Sequence, residues 1–184
     1  SFIHGCRQVA AMAAAVGKTN TSQRFLALAK KLSLDFNDAW LRGNASYADG
    51  LQTELSLALW LDIVPAEAKA NVLGTLVANL VEHDYHVTTG LIGTHTVYEA
   101  LGMNGRIDIA LKLLNQTSYP SFAYMTENKW EPATTLWEKW DADTRFADQV
   151  DSSRAHIMFG SVSAFFWKYL AGLKPAAAGW KRVA

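Results

Sequence analysis

The chain has 184 residues, half of them hydrophobic, with 17 Lys plus Arg set against 17 Asp plus Glu. That length and composition suit one packed domain and exclude a disordered chain, and a formal charge of zero leaves no electrostatic footprint for nucleic acid or an anionic membrane. A neutral, polar small molecule is the better-matched partner. Cys6 stands alone, which excludes an internal disulfide framework and a thiolate metal cluster, and no apolar run reaches the roughly 20 residues that span a bilayer. The first residues, Ser1 to Arg7, do not follow the order of a signal peptide and no initiator Met precedes them, so the chain reads as a stretch from inside a larger protein. Asn20-Thr-Ser, Asn44-Ala-Ser and Asn115-Gln-Thr match the glycosylation sequon, which tilts the open question of compartment slightly toward secretion or the periplasm over the cytoplasm.

In chain order, Phe2 to Val16 is an Ala-rich helical pattern stopped by Gly17, and Thr19-Asn-Thr-Ser22 offers capping side chains for the next helix. There Phe25, Leu28, Ala29, Leu32 and Phe36 fall on one face, the pattern of an outer helix. Leu51 to Val64 is apolar nearly all round, the pattern of a buried one. Pro65 opens another amphipathic helix, striped by Leu73, Leu76, Val77 and Leu80. A polar loop from His83 to Gly93 leads to a short helix over Thr94 to Leu101. After a Gly102 to Gly105 turn comes a helix striped by Ile107, Ala110, Leu111 and Leu114. From Tyr119 to Val150 the chain is aromatic, interrupted by Pro120 and Pro132, and weakly periodic, which marks it as the likeliest stretch for function rather than scaffold. A last helix over His156 to Ala171 is expected to bury Val162, Phe165, Phe166 and Tyr169. The count is about seven helices and no convincing strand, an all-α chain. Hairpins that alternate buried and half-exposed helices build a closed α/α toroid. An α-solenoid is the alternative, but no repeat of constant period supports it.

Within the aromatic stretch, Pro132 to Trp140 sets Glu138 between Trp137 and Trp140. Indole faces stack on the C–H faces of a pyranose, and a carboxylate takes a proton from water, so the trio suits a carbohydrate site with His156 as a further polar group. The same run would also serve an amphipathic helix end that packs its aromatics inward, and on residue chemistry alone that packing reading leads. Glu131 competes for the role of carboxylate. His83 and His86 lie three apart without a further ligand set, so neither metal nor cofactor is expected.

Six motifs then carry a resemblance. Val87-Thr-Thr-Gly90-Leu-Ile-Gly93-Thr, Asn104-Gly-Arg-Ile-Asp108, Tyr119-Pro-Ser-Phe-Ala-Tyr-Met125, Ala133-Thr-Thr-Leu-Trp-Glu138, His156-Ile-Met-Phe-Gly160 and Leu170-Ala-Gly-Leu-Lys-Pro175 together resemble, in order, the bacterial and fungal α-L-rhamnosidases from about residue 50 to the end. The resemblance implies a six-hairpin α/α toroid, of which residues 1–184 would be the C-terminal part of one catalytic domain. The remainder of that domain would be its partner. It also implies inverting release of terminal α-L-rhamnose: Glu138 as general base, His156 hydrogen-bonding the sugar, and the general acid in an acidic motif upstream. The family's Asn in Ser-x-Asn-His-x-x-Phe-Gly is Ala155 here, which puts the fit of the neighbouring loop in question. Tyr124, Trp137 and Trp140 are ring platforms on their chemistry rather than on a motif. The alternatives are another toroid glycosidase, such as a trehalase or an unsaturated uronyl hydrolase, and an inactive carbohydrate-binding scaffold.

Overall fold

The computed structural model describes residues 1–143 and 152–183; the end of the aromatic stretch, residues 144–150, lies outside the described residues. Helix α1 (Phe2–Ala15) is reversed by Gly17, whose φ of 75° is the left-handed conformation that glycine adopts without strain, and α2 (Thr19–Trp40) packs back along α1. The expected face, Phe25 through Phe36, is the one α2 buries. The expected cap is not there: α2 begins after Lys18 with no side-chain hydrogen bond to its first turn. Two two-residue strands, β1 (Leu41–Arg42) and β2 (Ser46–Tyr47), form an antiparallel hairpin that the sequence patterning did not suggest. Two residues are too few for alternation to register. Buried Tyr47 donates to Asn37 Oδ1 at 2.6 Å and Asn37 donates to the Ile63 carbonyl at 2.7 Å, tying the hairpin to α2 and to the turn beyond the next helix.

That helix, α3 (Gln52–Trp60), is buried almost all round, as its composition predicts. Helix α4 (Ala66–Glu82) packs on it through Ala68, Val72, Leu76 and Leu80. Helix α5 (Leu91–Met103) begins three residues earlier than expected and is the second inner helix, packed on α3. A Cβ at Gly93 would lie 2.8 Å from the Thr89 side chain, so this glycine belongs inside the helix as a close-packing residue. Ser56 and Thr96 join the two inner helices by a buried hydroxyl pair at 2.7 Å. Helix α6 (Ile107–Leu114) covers α5 with Ile109, Ala110 and Leu113; Leu111, expected on that stripe, is 38% exposed because the buried face is rotated toward Ile109.

After α7 (Phe122–Glu127) the chain is irregular to residue 143. The expected last helix is split into a 3-10 turn (Ile157–Ser161), a single α turn α8 (Val162–Phe165) and a π turn (Phe166–Leu170). The widened π turn is where consecutive residues converge on one partner. Lys168 reaches the Glu99 carboxylate of α5 at 2.9 and 3.1 Å, and the Tyr169 hydroxyl donates to it at 3.3 Å. Phe166, expected in the core, points outward and is exposed, whereas Phe165 is fully buried. The described residues thus hold eight α-helices, of which α1 pairs with α2 while α4 and α6 cover the inner helices α3 and α5. None is long and apolar enough to cross a membrane.

Candidate active site

The site is assembled from the loop between α4 and α5 and from the irregular stretch after α7. Gln52, fully buried at the start of α3, holds the first of these: its amide N–H donates to the His86 carbonyl at 3.2 Å and its oxygen accepts the Thr88 N–H at 2.8 Å. A buried polar side chain that satisfies two backbone groups of a loop fixes that loop's path. Thr89 and Thr94 share a hydroxyl contact at 2.8 Å, which carries the same loop into α5. The indole N–H of Trp140 then donates to the Thr89 carbonyl at 2.8 Å, and its ring lies 4.1 Å from that of Phe159 and edge-on to Phe122 at 5.1 Å. Trp140 therefore fastens the aromatic stretch to the loop.

Between the two lies a cavity of about 720 Å³, lined among others by Thr89, Tyr119, Glu138, Trp140, Asp141 and Phe159. Glu138 also lines a smaller neighbouring cavity beside Gly90 and Gly93. Its position is set by the main chain: the Glu138 N–H donates to the Ser153 carbonyl at 2.9 Å, and the Ser153 N–H donates to Glu138 Oε2 at 2.9 Å. The His156 N–H donates to the Leu136 carbonyl at 2.7 Å, so residues 136–138 and 153–156 run side by side and His156 is held two residues from Glu138 across that pairing. Half-buried Glu138 thus keeps Oε1 without a hydrogen bond among the described residues, on the wall of an open space.

Of the residues singled out from sequence, Glu138 and Trp140 line the cavity, and His156 is placed beside Glu138 by backbone pairing without itself lining that space. Trp137 and Tyr124 are core side chains, 2% and 8% exposed. The Trp137 ring carries the Arg154 guanidinium at 5.2 Å, and the Tyr124 hydroxyl donates to Asp143 Oδ2 at 2.6 Å. The Trp137 side chain is thus packed inward, though not at a helix end. Glu131, the competing carboxylate, pairs with Arg154 at 2.5 Å and does not line the cavity. His83 bonds the Asn79 carbonyl through Nδ1 at 2.8 Å, His86 bonds Ser118 Oγ through Nε2 at 2.8 Å, and no group of three metal-ligating side chains occurs among the described residues. Gln52, Tyr119 and Asp141 were missed by sequence reasoning. Gln52 opens a helix whose apolar residues dominate its pattern, and Asp141 directly follows Trp140 at the end of the Pro132 to Trp140 stretch.

Paired helices, two of them buried on nearly every side, with a carboxylate and an indole facing a cavity at their loop end, define an α/α toroid of the six-hairpin glycosidase class. The chain belongs to the family described as the bacterial alpha-L-rhamnosidase 6 hairpin glycosidase domain, whose sequence profile matches residues 1–170. It is 30% identical over 184 residues to an α-L-rhamnosidase of Formosa agariphila, covering 98% of this chain and 20% of that protein. It is 29% identical over 185 residues to one of Streptomyces avermitilis, covering 99% and 18%. The structure of an α-L-rhamnosidase from Dictyoglumus thermophilum superposes with a TM-score of 0.89 at 36% identity, over 99% of this chain and 20% of that one. That of the Streptomyces avermitilis α-L-rhamnosidase complexed with L-rhamnose does so with 0.89 at 30% identity, over 99% and 18%. The chain therefore spans about a fifth of the length of these relatives.

Proposed function

We propose that residues 1–184 form the C-terminal part of the catalytic toroid of an inverting α-L-rhamnosidase, with Glu138 as the general base. The observation that carries this reading is the geometry of Glu138: one oxygen anchored by a main-chain N–H, the other free on the wall of a cavity large enough for a sugar. An anchored carboxylate of this kind is positioned to draw a proton from water as it attacks the anomeric carbon. Anchoring by backbone removes the need to order a mobile side chain in the transition state. In an inverting mechanism the carboxylic acid that protonates the leaving oxygen stands roughly 6.5–9.5 Å from the base, across the sugar. That acid is assigned to the remainder of the domain, in the part of the protein that corresponds to the other four-fifths of its relatives. Trp140 supplies a wall for the sugar and His156 a hydrogen bond to one of its hydroxyls, while Trp137 and Tyr124 are packed in the core. No cofactor enters.

The test uses the intact protein and an aryl α-L-rhamnoside. Glu138→Gln keeps an acceptor for the Ser153 N–H and is expected to lower turnover by a factor on the order of 100 to 10,000 with the melting temperature unchanged. The first-formed sugar, followed by NMR, is expected to be the β anomer. Turnover within a few-fold of wild type would remove Glu138 from the role, and an initial α anomer would remove the inverting mechanism.

A further inference from the structure

Two residues of the Glu138 cavity have no part in the mechanism just described. Tyr119 is 51% exposed, yet its ring is not loose: it stands edge-on to Tyr124 at 5.3 Å with an interplanar angle of 82°, and Tyr124 is itself buried and bonded to Asp143. The preceding residue, Ser118, bonds His86 on the opposite wall at 2.8 Å. An exposed aromatic ring held in one orientation at the edge of a polar cavity is a prepared stacking surface, because the entropy of fixing it is lost on folding rather than on binding. Asp141 lines the same cavity one residue beyond the anchored Trp140. It is half-buried and has neither a hydrogen bond nor an ion pair among the described residues. Its carboxylate is therefore available on the cavity wall to accept hydrogen bonds from a ligand hydroxyl. The two groups are close enough to interact: besides burial, the Asp141 charge pushes the Tyr119 hydroxyl above its ordinary pKa.

We propose that Tyr119 and Asp141 are a sugar-recognition pair, Tyr119 presenting its ring to the C–H face of a pyranose and Asp141 accepting hydrogen bonds from the same sugar's hydroxyls. The pair determines affinity and specificity rather than the chemical step. It rests on the glycosidase reading of the cavity and adds to it the surface that selects the ring.

The experiment measures steady-state kinetics on an aryl α-L-rhamnoside, inhibition by L-rhamnose, and calorimetric titration with L-rhamnose, L-fucose and D-mannose, all on the intact protein. Tyr119→Ala is expected to raise KM and weaken sugar binding roughly fivefold to tenfold with a smaller change in kcat. Tyr119→Phe, which keeps the ring, is expected to stay within about threefold of wild type. Asp141→Asn, which keeps the shape and loses the charge, is expected to weaken binding about tenfold. Variants that lower only the melting temperature, leaving KM and sugar affinity at wild-type values, overturn the pair. If wild type hydrolyses no rhamnoside, the proposed activity fails, while the titrations still decide the pair. If wild type binds none of the three sugars, the pair fails as well.

Discussion

At the scale of single residues, polar groups on the inner helices and on the loop beside them do two different jobs. Gln52 and Thr89 are spent on shaping a loop; His95 on α5 is not. Its ring meets Trp60 edge-on at 5.4 Å, its Nδ1 is buried without a hydrogen bond, and Glu99, Lys168 and His4 are the charged and titratable groups that act on it. Burial, the largest influence, holds its pKa below the ordinary histidine value; Glu99 opposes this, and Lys168 and His4 add to it. The folded protein therefore resists protonating His95, whereas the unfolded chain takes up that proton below about pH 6.5. His95 thus costs nothing above that pH, and its contribution to stability declines as pH falls from there through its folded pKa. His95→Phe, which retains a ring against Trp60, is expected to flatten the fall in melting temperature between pH 7.5 and pH 5 in the intact protein. An unchanged slope would show that His95 is not among the groups that set it. Neither His95 nor Gln52 could be assigned from sequence, since each sits in a helix whose overall pattern says only that it is buried; the environment of one polar side chain is decided by helices far away in the chain.

At the scale of elements, the periodic segments were readable and the aperiodic ones were not. Five hydrophobic positions of α2 and the all-round apolarity of α3 state their burial outright, because a repeated spacing averages over local exceptions. The stripe of α6 was misjudged by one position in a helix of eight residues, where rotation by a single residue changes which Leu is covered. The last helix was read as continuous because nothing in its composition announces a π turn: the turn widens to let Lys168 and Tyr169 both meet Glu99, a contact 69 and 70 residues away. That junction makes a paired prediction about glycine. A Cβ at Gly102 would lie 2.6 Å from ring atoms of Tyr169, so Gly102→Ala is expected to destabilise the intact protein by about 1–3 kcal/mol despite the better helix propensity of alanine. Gly74 on α4 has open space around it, and Gly74→Ala is expected to stabilise by roughly 0.5–1 kcal/mol. Urea unfolding of both variants checks the contrast; equal shifts of the same sign would mean that propensity alone governs both sites.

At the scale of the whole molecule, the ordered motifs point to the family and to Glu138 as the proposed base, while the composition of the cavity wall is set by residues that only the fold brings together. Helix α1 and its C-cap expose Phe2, Met12 and Val16, α5 exposes Ile92, and the segment after Glu138 exposes Ile157, which is 86% accessible, and Met158. Each large apolar side chain left in water forgoes roughly 1.5–3 kcal/mol, and a handful of them rivals the 5–15 kcal/mol by which a domain is ordinarily stable. Residues 1–184 expressed alone are therefore expected to bind a hydrophobic dye and to hydrolyse no rhamnoside, and the intact protein to do neither the first nor fail at the second. A monomeric, cooperatively melting 184-residue chain with rhamnosidase turnover would contradict both the covering of these faces and the placement of the acid elsewhere.

The mutual clamp between Glu138 and Ser153 has a consequence for how this site tolerates sequence drift. Both groups that Ser153 contributes to this clamp are main-chain atoms, so the Glu138 carboxylate is held by something nineteen of the twenty amino acids possess. The clamp itself makes no demand on the side chain at position 153, whose hydroxyl serves a separate contact by accepting the Ala155 N–H at 3.3 Å. Proline is the exception, since it lacks the N–H that Glu138 accepts. A requirement met by main-chain atoms and broken by one residue type is one that no side chain reports.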